Sequence, residues 1–241
     1  TNANLYTGAT IINQGTLNLG GATATGSLAS TVLTLSGGTL SYTRTGTNTQ
    51  SFTTTNVTSG ANQLSTSVAT QTLELNDIVR SVGGTINFGN TGTITTTNTL
   101  SNGILGGWAT TNNDNWATKT GSNITALGVY TGANATAATN LNTNMDAATV
   151  TIGGVINTNS IRFSGASAKT LTLATGDNII QSGGILVRSD VAAFASSITG
   201  GNLAGSASGD LLVHQHNNNA AGALTIGSLI QNNTAATALT K

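Results

Sequence analysis

Along most of this 241-residue chain, apolar side chains come in pairs two positions apart with a polar residue between them. Leu17 and Leu19 flank Asn18, Leu33 and Leu35 flank Thr34, Ile86 and Phe88 flank Asn87, Leu171 and Leu173 flank Thr172, and Leu224 and Ile226 flank Thr225. A period of two is that of a strand with one dry face and one wet face. Glycine introduces many of these strands, as in "QGTLNLGG" (14–21), "SGGTLSYT" (36–43), "VGGTINFG" (82–89), "IGGVINTN" (152–159) and "SGGILVRS" (182–189). The spacing is irregular, so the chain carries a repeated unit with insertions.

A strand of four or five residues cannot bury its apolar face alone. Stacking coil upon coil solves this, because each aliphatic pair then covers the pair below while outward Thr and Asn form ladders. The expected fold is all-β: a β-solenoid over 1–241 as a single segment, with roughly 20 to 25 residues per coil. A β-sandwich, the rival, predicts aromatic core anchors, and only 4% of the chain is aromatic. The absence of proline agrees with a solenoid, where nearly every strand is central and needs its N–H.

Charge narrows the function classes. Only 6% of residues are charged, with seven basic and seven acidic residues, against about 25% in an average soluble domain. Thr, Asn, Ser and Gln supply the polarity instead. So few cations leave no footprint for a phosphate backbone, which argues against nucleic-acid binding. The lack of cysteine removes disulfides, thiolate metal sites and thiol catalysis together. No run of about 18 apolar residues is present for a membrane helix, and the first residues carry no leader pattern.

One stretch breaks the strand rhythm. Residues 103–132 contain both tryptophans, Trp108 and Trp116, separated by the polar loop "TTNNDN". The segment reads as a lateral insertion or an elaborated coil. Its two rings are the candidate ligand-binding residues, a stacking platform for surface glycans, against the plainer role of closing a core edge.

Other candidate chemistry is sparse. Glu74 and Asp77 form the one close carboxylate pair, the minimum for glycosidic cleavage, but Leu73 and Leu75 read as inward, Glu74 as outward, and Asp77 as a partner for Arg80. His214 and His216 share a strand face and are the candidate metal ligands, with a third donor to come from Asp210 or an adjacent coil. Two solvated imidazoles at a strand end is the plainer reading. Neither nucleotide-binding nor hydrolase motifs occur, and no cofactor is expected. Asn-x-Thr triplets start at Asn56, Asn123, Asn134 and Asn232, as chance allows in such a composition. Thr-rich runs such as "TITTTNT" (93–99) suggest outward ladders, too irregularly spaced for the flat Thr-x-Thr face of an ice binder.

The stretch "YTGATIINQGTLNLG" (6–20) resembles the autotransporter-associated β-strand repeat of very large bacterial surface proteins. Tyr6, Thr7, Gly8, Thr10, Ile12, Gly15, Thr16, Leu17, Leu19 and Gly20 match its pattern, while Ile11 and Gln14 depart from the commonest choices. Looser likeness to giant proteins of planctomycete and verrucomicrobial type extends through 169–187, 205–217 and 223–241 and is weakest from about 45 to 150. The resemblance implies a right-handed parallel β-helix in a passenger exported to or beyond the outer membrane, with no catalytic residues in the repeat. The repeated strand unit, with few charges and no catalytic set, reads as a non-enzymatic stalk, sheath or filament at the bacterial surface; the alternative is an adhesin acting through 103–132, with Trp108 and Trp116 as its anchors. Because "ALTK" in such proteins leads on toward the Tyr-Thr-Gly motif, copies of the chain itself, stacked end to end or in a covalent array, are the expected partners.

Overall fold

The computed structural model describes residues 4–21, 27–132, 139–207 and 209–241. It is a β-solenoid of about nine turns, nearly all β and mostly parallel. Its contacts divide the chain into two compact units. One holds residues 1–100, 109–112 and 116–126; the other holds 101–108, 113–115 and 127–241.

In the first unit the described strands fall into three stacks. The first stack runs from Thr10–Ile12 through Val32–Ser36 and the early residues of Thr54–Thr66 to Asp77–Arg80. The second joins Thr16–Gly21, Thr39–Arg44, the later residues of Thr54–Thr66, Gly84–Asn90 and Ala109–Thr111. The third joins Asn48–Ser51, Gln71–Glu74 and Thr93–Thr95. In the second stack Leu17, Leu40, Leu64 and Phe88 lie in register, so a coil here takes 23 or 24 residues. Alternation does what the sequence implied. Leu33, Leu35, Leu40, Leu64, Leu73 and Phe88 are wholly buried, while the residues between them face outward.

The second unit repeats the plan. Its first stack is Thr149–Thr151, residues 169–173, residues 196–198 and Leu224–Ile226. Its second stack is 157–158, 177–180, 202–204 and Leu229–Gln231. Its third runs from Thr131–Gly132 through Asn142–Met145, 160–163, 184–187 and Asp210–Gln215 to Ala238–Thr240. Ile161, Phe163, Ile185, Val187, Ile198 and Leu211 fill the core, with Leu224 and Ile226 packed against it. Coil length varies more here: in-register Thr143, Ile161, Ile185 and Val213 are 18, 24 and 28 residues apart. The strand expected directly after "IGG" (152–154) begins only at Asn157.

The outward ladders are more regular than their sequence spacing. Thr149, Thr170, Ser197 and Thr225 are in register, as are Thr151, Thr172 and Thr199. Ser197 Oγ donates to Thr170 Oγ1 at 3.0 Å.

Corners are closed by buried side-chain amides. The 13-residue strand Thr54–Thr66 passes from the first stack to the second at Gly60. Gly60 has φ +67°, and an added Cβ would sit 3.0 Å from Gly37 Cα on the coil before, so only glycine suits both the conformation and the space. Beside it, Asn62 Oδ1 accepts from Gly37 N–H (2.7 Å) and Gly38 N–H (3.2 Å) of the preceding coil. Its Nδ2 donates to Ser59 and Gly60 in its own corner and to Thr85 of the following coil, at 2.9, 3.1 and 3.0 Å. Asn178 does the same in the second unit, accepting from Ile156 N–H and donating to the carbonyls of Ala174, Gly176 and Asn202. One carboxamide thereby satisfies backbone groups of three successive coils at a place where no ladder partner is in reach.

Candidate functional site

The 103–132 stretch is divided between the two units. Asn115–Thr120 and Asn123–Ala126, all but Asn115 within the first unit, form an antiparallel hairpin that pairs with Thr93–Thr95 through Asn123. Trp116 lies in this hairpin with no exposed surface. A fully buried ring offers no face for stacking on a sugar, and it does the work of a core-edge residue. Trp108 is half-buried and belongs to the second unit.

In the second unit, residues 101–108 and 113–115 lie on the third stack. Gly107 meets Gly184 backbone to backbone: a Cβ there would fall 2.5 Å from Gly184 N. The Gly107 carbonyl accepts a hydrogen bond from His214 Nε2 at 2.8 Å, which places the proton on Nε2. Asp114 Oδ1 accepts from the Ser189 N–H (3.1 Å) and hydroxyl (2.8 Å) and lies 3.8 Å from Arg188 Nε. Arg188 in turn reaches Asp190 at 3.4 Å. Asn115 Oδ1 accepts from Arg162 Nη1 at 2.5 Å, and Asn144 Oδ1 accepts from Arg162 Nε at 2.9 Å. The Arg162 guanidinium lies 3.4 Å from the centre of the Tyr130 ring, a close cation–π contact. Burial holds its pKa below the usual arginine value, partly offset by Tyr130.

The two histidines stand on Asp210–Gln215 and just beyond it, with ring centres 6.0 Å apart. They are not two solvated imidazoles: His214 is only 8% exposed, and the buried His216 Nε2 has no hydrogen-bond partner. Burial lowers the His216 pKa from its ordinary value, opposed in part by the charge of Asp114. Among the described residues no third His, Cys, Asp or Glu joins them in a set able to hold a metal ion. His214 Nε2 is already engaged by Gly107.

Glu74 and Asp77 sit on different stacks, Glu74 at the end of Gln71–Glu74 in the third and Asp77 at the start of Asp77–Arg80 in the first. Leu73 and Leu75 are fully buried and Glu74 faces outward, as alternation required. Arg80 Nε donates to the Gly84 carbonyl at 2.9 Å. Of the Asn-x-Thr triplets, Asn56 donates to Thr34 Oγ1 across coils, Asn123 is exposed in the hairpin, and Asn232 accepts from Thr237 N–H. Asn134 lies outside the described residues. The corner amides Asn62 and Asn178 escaped the sequence reading, because nothing separates them from the many solvent-facing asparagines of this chain.

Over nearly its whole length the chain is similar to part of a bacterial adhesin. That protein is the Adhesin BmaC autotransporter of Brucella suis biovar 1 (strain 1330), 35% identical over 257 residues. The aligned region covers 98% of this chain and spans about 7% of the relative's length. No protein-family model matches the chain, and no solved structure matches it. The similarity and the parallel coils together fit autotransporter-type β-helix repeats.

Proposed function

We propose that this chain is a length of a bacterial cell-surface adhesin passenger, non-enzymatic, whose coils form a stalk that carries binding regions away from the cell. The carrying observation is the reach of the similarity: it follows the coil stack across 98% of the chain while taking in 7% of the relative. The likeness runs the length of the stack instead of sitting in one local constellation, which supports a role for the stack as a whole. Parallel strands add about 4.8 Å of axial length per coil, and uncharged ladders cover their outer faces.

The test is made on cells displaying the full-length protein that contains this segment. Antibody raised against residues 27–132 should label intact cells, and in-frame removal of the segment should bring a distal epitope closer to the membrane while leaving adhesion measurable. Lack of labelling on intact cells defeats the surface assignment. Loss of adhesion without shortening defeats the stalk and makes the segment itself the binding region.

A further inference from the structure

We propose that Asn102 is a spontaneous modification site, where loss of ammonia turns the carboxamide into a carboxylate and unfastens the turn at 101–104 from the coils of the second unit. The inference is independent of the adhesin reading. Asn102 and Gly103 form the one Asn-Gly pair of the sequence, and the glycine leaves the following backbone nitrogen unshielded by a Cβ. The pair is the tip of a two-residue hairpin. Ser101 and Ile104 exchange backbone bonds of 2.8 and 3.1 Å, and φ is +48° at Asn102 and +84° at Gly103, the signs of a type I′ turn. Both residues are exposed.

Carboxamides of three successive coils hold this turn. Asn102 Nδ2 donates to Asn159 Oδ1 at 3.2 Å and to Gln181 Oε1 at 3.3 Å, and the Asn102 carbonyl accepts from Asn142 Nδ2 at 2.9 Å. Asn142 Oδ1 accepts in turn from Asn159 Nδ2 and from the Ser160 hydroxyl, both at 2.7 Å. Gln181 Oε1 also accepts from the Asn140 N–H at 3.2 Å, and its Nε2 donates to Asn140 Oδ1 at 3.0 Å. Both amides that face Asn102 Nδ2 are therefore held with their oxygens toward it.

The reaction needs only the chain and water. The Gly103 nitrogen attacks Asn102 Cγ, its proton and the side-chain amide leave as ammonia, and a cyclic imide closes. Water then adds to either imide carbonyl and reopens the ring, giving aspartate or, with the chain running through Cγ, isoaspartate. To turn upon Gly103, the carboxamide first leaves Asn159 and Gln181, so these two bonds set the pace. The product has no way back. A carboxylate oxygen in place of Nδ2 meets Asn159 Oδ1 and Gln181 Oε1, oxygen against oxygen, and flipping either amide breaks its bond to Asn142 or to Asn140. If the carboxylate swings into water instead, Asn159, only 1% exposed, keeps a buried oxygen without its donor. Isoaspartate adds a methylene to a turn whose ends are tied by two bonds.

Peptide mapping by mass spectrometry tests this on the full chain held at mildly alkaline pH. Asn102 should convert first among the asparagines of the folded protein. Gln181→Ala removes one restraint without touching the reacting pair and should speed conversion about fivefold, the worth of one net hydrogen bond. Asn102→Asp supplies one product outright, and in it the Ile104 amide should lose about tenfold of its exchange protection while the Leu186 amide keeps its own. An Asn102 that stays intact while other asparagines convert overturns the proposal. So does an unchanged rate in Gln181→Ala, or full Ile104 protection in Asn102→Asp.

Discussion

At Asn62 a single carboxamide reaches backward to Gly37 and Gly38 and forward to Thr85, so its value lies in the backbone groups it keeps from being stranded. A buried N–H or carbonyl left without a partner costs about 1–3 kcal/mol. Asn62→Ala is expected to lower unfolding free energy by about 3 kcal/mol. Asn56→Ala, which gives up one half-buried bond to Thr34, should cost under about 1 kcal/mol. Equal losses in urea melts of the two variants contradict the corner role. Trp116→Ala empties a wholly buried site and should cost about 3–5 kcal/mol. The half-buried Trp108 should cost clearly less on the same substitution, and the ordering of the two melting midpoints checks both.

At the scale of the strand, registration matters more than length. Leu40 and Leu64 occupy equivalent places on successive coils, so deleting residues 41–64 removes one coil and rejoins the stack in phase. Deleting 41–52 removes half a coil and sets apolar residues against the wrong stack. The first variant should keep β-type circular dichroism and a cooperative melt; the second should lose both. Indistinguishable melts disprove the in-phase argument. Strand alternation was readable in the chain because period two maps directly onto inside and outside, as Leu33, Leu35 and Phe88 show. The fate of 103–132 was not, because contacts distant in sequence decide it: Gly107 is fixed by Gly184 and His214, and Asp114 by Ser189, none of them near in the chain. The histidines were misread as solvated for the same reason, since burial by another strand leaves no local mark.

For the molecule as a whole, cohesion rests on aliphatic layers and amide bonds. Charged residues are 6% of the chain, and the Arg188–Asp114 pair is partly exposed on both sides, which makes it worth at most about 1 kcal/mol. Raising sodium chloride from about 0.05 M to about 1 M, which shortens electrostatic reach to about 3 Å, should leave the melting temperature within a few degrees. A large fall by differential scanning calorimetry shows that ion pairs carry more than the fold displays.

Strand positions in the second unit hold their alignment while the chain between them ranges from 18 to 28 residues per circuit. Novelty can therefore accumulate at the bends without disturbing the layers. Such a lineage is free to try new loops one circuit at a time, keeping an old spine beneath a changing exterior.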